Sequence, residues 1–192
     1  MMIYFVTGNK GKVETAKAEL SPLGIEVVHY DSIEFSEPRS YDLNEIAKSK
    51  ANQAFNALRK PLMVLDAGFY INRWGDFPGP FTNHIIETLD LKGIMKLLEN
   101  EKRDCEFRNA LAYMDDTLDE PKVFYSSIKG IVSEGIGSDN PKRIGWSVLH
   151  KIFIPEGFDK PLSEMNSEEY AIYRKNRQPI YSSFGEWLVA NR

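Results

Sequence analysis

The spacing of apolar positions along this chain switches repeatedly between strand-like runs and helical steps. Residues 2–6 (MIYFV) are a short run rich in β-formers. The polar turn Thr7-Gly8-Asn9-Lys10-Gly11-Lys12 follows, and then Val13, Ala16 and Leu20 recur at steps of three and four. That order predicts strand, turn and helix. Pro22 and Gly24 stop the helix, and residues 25–30 read as a second strand. Over residues 42–58, Leu43, Ile46, Ala47, Ala51, Ala54, Phe55 and Leu58 mark a long amphipathic helix, with Lys48, Lys50 and Asn52 on its other faces. Residues 62–65 are continuously apolar after Pro61, as in a buried strand of an α/β sheet, and Asp66-Ala67-Gly68 ends or turns that strand.

The stretch Phe77-Pro78-Gly79-Pro80-Phe81 reads as irregular and leads into two short helices over residues 83–89 and 92–99. Two long strands, over residues 105–114 and 122–134, flank an acidic, proline-containing turn and predict an antiparallel hairpin. Loops over 135–141 and 155–161 bracket a strand over 148–154. Helices over 167–175 and 179–190 finish the pattern, with Pro179 suited to a first helical turn. No repeat, linker or low-complexity tract interrupts it. The expected architecture is one α/β domain over residues 1–192 with a mixed β-sheet, its parallel part early and a long hairpin in the middle.

Composition narrows the partners. The 192 residues are 42% hydrophobic, 12% aromatic and 27% charged, which excludes a disordered or fibrous chain. With 24 Lys+Arg against 28 Asp+Glu, the net charge of −4 provides no global attraction to a nucleic acid polymer. Cys105 is the single cysteine, which excludes an intramolecular disulfide and any multi-cysteine metal centre and fits a reducing cytoplasm. No apolar run reaches the ~20 residues of a membrane span, and the start lacks the pattern of a secretory leader. The expectation is an unprocessed cytoplasmic protein with no membrane contact.

Several residues could carry chemistry. Thr7 to Lys12 forms a polar turn ahead of a helix, where backbone N–H groups and two lysines suit a phosphate. It lacks the GxxxxGK[ST] pattern of a P-loop, so an ordinary connection with solvated lysines stays open. Asp66 at the end of a strand and Glu37 in the polar segment 35–40 could together offer hard oxygens to Mg²⁺. From the residues alone, a turn-forming or helix-capping aspartate and a solvated glutamate are the preferred readings. Lys50 precedes Asp66 by sixteen residues, so a helix and the following strand could present both at one place. The three histidines have no metal-ligand spacing, Cys105 lacks charges that would favour a thiolate, and no GxSxG elbow occurs.

Taken in order, TGNKGK, the Glu-Pro of SEPRS, VLDAGFYI, FPGPF and IFIPEGFDKPLSEM resemble the inosine triphosphate pyrophosphatase family, which removes non-canonical purine nucleotides. GIMKLLEN after FPGPF is similar to archaeal members in particular. The resemblance implies an elongated α/β fold, a mixed β-sheet flanked by helices with two lobes around a central cleft, usually a homodimer. It implies Mg²⁺-dependent hydrolysis of ITP, dITP or XTP to the monophosphate and pyrophosphate. By motif, Thr7, Asn9 and Lys12 would bind the triphosphate, Lys50 would bind phosphate and Glu37 would help hold the metal. Asp66 matches the catalytic carboxylate, which binds metal and activates water.

The chain departs from the family pattern at several positions. Leu65 and Ala67 flank Asp66 where the family writes an acid and a hydroxyl, and His150 replaces an aspartate. Trp146 stands in for the aromatic platform, and Arg174 or Arg177 for the arginine of the missing Ser-His-Arg motif. A site without the usual donors to a 6-keto purine should discriminate bases differently. Two other readings follow from these departures: a catalytically degenerate nucleotide-binding protein of this fold, and a phosphohydrolase for another nucleotide.

Overall fold

The computed structural model describes residues 1–139, 147–177 and 179–191. The elements are β1 (Met2–Val6), α1 (Lys10–Leu20), β2 (Glu26–Tyr30), α2 (Leu43–Leu58), β3 (Leu62–Ile71), β4 (Phe77–Gly79), α3 (Thr82–Leu97), β5 (Asp104–Met114), β6 (Lys122–Val132), β7 (Phe153–Pro155), α4 (Ser167–Asn176) and α5 (Ile180–Ala190). Seven strands among the described residues form one mixed sheet in the order β2-β1-β3-β5-β6-β7, with β4 paired to β3. The chain divides into two compact units: Met1–Ala67 with Asn109–Ser126 and Pro179–Arg192, and Gly68–Arg108 with Ser127–Gln178. The expected α/β class with a parallel start and a later hairpin is what the sheet has. No helix among the described residues is long and apolar enough to cross a membrane.

In the first unit, β1 pairs in parallel with β2 (Phe5 opposite His29) and with β3 (Phe5 opposite Met63). The C-terminal end of β1 and residue 65 of β3 therefore lie at the same end of the sheet. Ile3 and Phe5 are fully buried against Val13, Ala16 and Leu20 of α1 and Phe184 and Leu188 of α5. Tyr113 of β5 stacks at 5.3 Å on Phe184, and Phe5 meets Tyr181 edge-on at 5.9 Å. Each such fully buried aromatic contributes about 1.5–3 kcal/mol. α2 begins at Asp42, whose carboxylate accepts from the Asn44 N–H at 2.8 Å, and ends at Arg59 in the left-handed region (φ 50°). These two stops place Lys50 in the middle of a rigid helix.

The second unit is centred on Phe69, Phe107 and Phe153, with ring centroids 4.8 Å apart for Phe69–Phe107 and for Phe107–Phe153. β3 does not end at Asp66-Ala67-Gly68 but runs on to Ile71, because Phe69, Tyr70 and Ile71 pair with Gly79, Pro78 and Phe77. The expectation of irregular backbone over 77–81 is corrected at the same time: Phe77–Gly79 is the short strand β4. Its proline is tolerated because edge positions need no ladder donor. A Cβ on Gly68 would lie 2.7 Å from the Gly79 carbonyl oxygen and 2.7 Å from Cε2 of Tyr70, so the glycine marks a close approach and not a turn. Thr82 Oγ1 accepts from the Phe69 N–H at 2.8 Å and donates to the Gly79 carbonyl at 2.6 Å, tying α3 to both strands.

α3 holds the two expected helical stretches, broken at Asp90 (φ 52°), whose carboxylate accepts from the Gly93 N–H. β5 and β6 are neighbours joined by a connection too short for a parallel crossover, in agreement with a hairpin. The strand expected over 148–154 is corrected. Val148–Lys151 is one 3₁₀ turn, capped by the Ser147 hydroxyl, and only Phe153–Pro155 pairs with β6. Cys105 is buried, and burial pushes its thiol up, as a structural cysteine requires.

Candidate active site

The turn after β1 is built by its own side chains. Thr7 Oγ1 accepts from the Asn9 N–H at 3.1 Å, and Asn9 Oδ1 caps α1 by accepting from the Lys12 N–H at 3.1 Å. His29, on the adjacent strand, meets the Thr7 carbonyl through Nε2 at 2.7 Å. Thr7 and Asn9 thus shape the loop that opens α1. Asn9, at the start of the helix, keeps the positive end of its dipole oriented from a fixed position.

Lys12 extends from the first turn of α1 to β3, where its Nζ donates to the Leu65 carbonyl at 3.1 Å. Burial pulls its pKa down to about 8, attraction to Asp66 opposes that and repulsion from Lys50 adds to it. From α2, the Lys50 ammonium donates to Asp66 Oδ2 at 3.0 Å and pairs with Glu37 Oε1 at 2.7 Å. Desolvation pulls the Lys50 pKa down, but Asp66 and Glu37 together outweigh it and hold it above the ordinary value. The ammonium is therefore charged across the neutral range. Asp66 Oδ1 also accepts from the Ala67 N–H at 3.0 Å, which fixes the carboxylate in rotation. The side chains of Lys50 and Asp66 are 13% and 16% exposed, whereas Glu37 is 57% exposed, so two members are fixed and the third faces solvent.

Glu37 stands in a segment without regular structure between β2 and α2. The side-chain amide of Gln53 accepts from the Ser36 N–H at 2.9 Å and donates to the Ser36 carbonyl at 2.9 Å. A second donation from that amide reaches Ser49 Oγ at 3.1 Å. On the other side of Glu37, Ser40 Oγ donates to Glu45 Oε2 at 2.6 Å and accepts from the Asp42 N–H at 3.0 Å. Gln53 was not among the residues singled out from the sequence. Its position three residues after Lys50, on the same face of α2, is the one signal that could have found it.

Among the described residues no group of three or more His, Cys, Asp or Glu side chains is arranged to hold a metal ion. The chemistry of Glu37 and Asp66 still fits a hard divalent cation of the Mg²⁺ type. Such ions commonly take one or two carboxylates and complete their shell with water and substrate phosphate oxygens. The structure thus gathers Lys12, Glu37, Lys50 and Asp66 in the first unit, with Thr7 and Asn9 shaping the loop that carries Lys12.

The remaining sequence-derived residues belong to the second unit or fall outside the described ones. His150 meets the Ser147 carbonyl through Nδ1 at 2.6 Å. Arg174 lies exposed on α4, whereas Arg177 is half-buried after its end and hydrogen-bonds Tyr173, whose phenol burial pushes up to about 12. Trp146 lies outside the described residues. The second unit also holds a cavity of about 380 Å³, lined among others by Asp104, Glu106, Lys129, Ile131 and Glu156; none of the residues singled out from the sequence as site residues lines it.

A family model described as the Ham1 family matches residues 3–176. A dITP/XTP pyrophosphatase of Saccharolobus solfataricus is 36% identical over 184 residues, covering 95% of this chain and 91% of that one. A dITP/XTP pyrophosphatase of Thermococcus kodakarensis is 32% identical over 192 residues, covering 100% and 99%. Among solved structures, a HAM1 protein from Coxiella burnetii superposes with a TM-score of 0.81 at 18% identity, covering 99% of both chains. The Ham1 protein of Staphylococcus aureus gives 0.79 at 18%, covering 100% of both, and these two likenesses speak for the fold.

Proposed function

The chain belongs to the Ham1 family, and from that membership and the charge cluster around Lys50 we propose that it is a nucleoside triphosphate pyrophosphatase. It hydrolyses non-canonical triphosphates such as dITP, ITP and XTP to the monophosphate and pyrophosphate. The observation that carries this reading is the Lys50 ammonium held between Glu37 and Asp66 beside the desolvated Lys12. Two cations and two carboxylates in one place are what a polyanionic substrate needs if it is to be bound and also cleaved.

Each residue has a role in that reading. The N-terminal end of α1 and the ammonium groups of Lys12 and Lys50 compensate phosphate charge. Glu37 and Asp66 would hold a divalent cation, Mg²⁺ by preference, which when bound supplies charge neutralisation to the phosphate oxygens. Asp66, fixed by the Ala67 N–H, accepts the proton of a water whose oxygen bonds to the α-phosphorus. The bond from the α-phosphorus to its bridging oxygen breaks, and pyrophosphate leaves. Leu65 in place of a second acid leaves Asp66 as the single carboxylate on that part of β3.

The test is pyrophosphate release from ITP, XTP, dITP, GTP, ATP, dUTP and dCTP with and without Mg²⁺, for the native chain and Asp66→Asn. Mg²⁺-dependent turnover of the keto purines that Asp66→Asn abolishes is the expected result. Orthophosphate as the product would mean a different cut. Nucleotide binding without turnover in a folded protein would favour the degenerate binding protein. The same panel with His150→Ala, Arg174→Ala and Arg177→Ala tests the substrate contacts that the resemblance assigns to those residues. Light scattering tests the homodimer it implies.

A further inference from the structure

We propose that Gln53 is a positioning residue for the metal-binding carboxylate Glu37, acting through the backbone of Ser36. The inference rests on the reading of Glu37 as a ligand. The segment between β2 and α2 has no ladder of hydrogen bonds to hold it, and Glu37 lies in its middle. A carboxylate on a loose segment spends much of its time elsewhere, because every unrestrained backbone residue samples many conformations. Something must hold the backbone next to it.

Gln53 has the chemistry for this. Its carboxamide carries a donor and an acceptor side by side, like a peptide group, and both bond the N–H and carbonyl of one residue, each at 2.9 Å. The pair copies the reciprocal exchange between two opposed residues of an antiparallel sheet. The bond to Ser49 Oγ, one helical turn earlier, fixes the carboxamide in rotation. Because Ser36 precedes Glu37 directly, clamping its peptide groups restrains where the Glu37 side chain starts. Lys50 then receives that carboxylate from the same helix face, three residues before Gln53. One rigid helix thereby sets both the backbone and the charge of the exposed ligand.

The clamp touches only the main chain of Ser36, which gives sharp controls. Gln53→Met keeps the length of the side chain and removes both bonds, whereas Ser36→Ala leaves both intact. Each variant is titrated with Mn²⁺ in the presence of a non-hydrolysable α,β-imido analogue of ITP, read by electron paramagnetic resonance. The Mg²⁺ concentration for half-maximal hydrolysis and kcat at saturating Mg²⁺ are measured alongside. Gln53→Met should weaken Mn²⁺ binding and raise the Mg²⁺ requirement by about tenfold, the loss expected for two modest hydrogen bonds. Its kcat at saturating metal should stay within about twofold, and Ser36→Ala should match the native chain.

A purely structural role is separated by the double variant. If Gln53 acts through Glu37, Gln53→Met adds nothing to the defect of Glu37→Gln. Multiplying defects, or an unchanged metal requirement in Gln53→Met while Glu37→Gln is impaired, overturns the inference and leaves Glu37 as a ligand. Unchanged Mn²⁺ binding in Glu37→Gln overturns the ligand assignment, and the role of Gln53 with it.

Discussion

Lys12 provides a quantitative test of the site, because its ammonium is held where water is scarce. Its pKa falls from 10.5 to about 8, mainly by burial. A drop of about 2.5 units at 1.36 kcal/mol per unit corresponds to roughly 3.4 kcal/mol. Lys12 keeps part of its surface in solvent, so about 1–3 kcal/mol is the working figure. Below pH 8 both folded and unfolded chains hold the proton, and the folded state carries the full cost of the buried charge. Between about 8 and 10.5 the unfolded chain binds more protons than the folded one, and stability rises with pH. Lys12→Met removes the charge and keeps the length, although losing the bond to Leu65 gives back about 1 kcal/mol. Urea unfolding of both proteins at pH 7, 8, 9 and 10 should show an advantage of the variant at pH 7 that shrinks steadily toward pH 10. Titrations of groups that do not interact with Lys12 cancel in the difference. A difference independent of pH would refute the argument that desolvation dominates at Lys12. Triphosphate affinity should fall in the same variant, so stability and binding move in opposite directions.

Three further outcomes follow from the geometry. Asp66→Asn keeps the bond from the Ala67 N–H and should fold normally by circular dichroism, while pyrophosphate release drops by about 10²–10⁴-fold, the range for loss of a positioned base. Gly68→Ala places a methyl group 2.7 Å from the Gly79 carbonyl oxygen and should cost about 1–3 kcal/mol in chemical unfolding, with β4 displaced in hydrogen exchange. Thr82→Val leaves the buried Phe69 N–H and Gly79 carbonyl without their hydroxyl partner, so calorimetry should show a loss of about 1–3 kcal/mol and a lower Tm.

Most elements of the first unit were legible because one period held over each. The steps of three and four in 42–58 mark α2, and the run after Pro61 marks the start of β3. The middle of β3 is hidden in the sequence because a glycine closing Asp-Ala-Gly reads as a stop, whereas Gly68 answers to a backbone approaching from β4, a contact between distant residues. The Pro-Gly-Pro stretch misled for the same reason: β4 exists through its partner and not through its own propensity. The spacing of Lys50 and Asp66 allowed both to meet at one place, since a strand that follows a helix runs back alongside it, but their ion pair is visible only in the structure. Gln53 left only its position after Lys50 as a trace, because its bonds to Ser36 go to main-chain atoms, which any residue could supply.

The first unit is stitched from three stretches, and α5 supplies Ile180, Tyr181, Phe184 and Leu188 to the same core as Ile3 and Phe5. During synthesis, then, β1 (Met2–Val6) waits for a helix, Ile180–Ala190, made much later in the chain. Until α5 has emerged, the nascent chain lacks the part of the cover over Phe5 that Tyr181, Phe184 and Leu188 provide. Lys12, Glu37, Lys50 and Asp66 all precede residue 70 in the chain, yet the core beneath them closes only when residues 180–190 dock. A chain truncated before α5 should therefore be captured by chaperones or aggregate, even though every residue of the charge cluster has already been made.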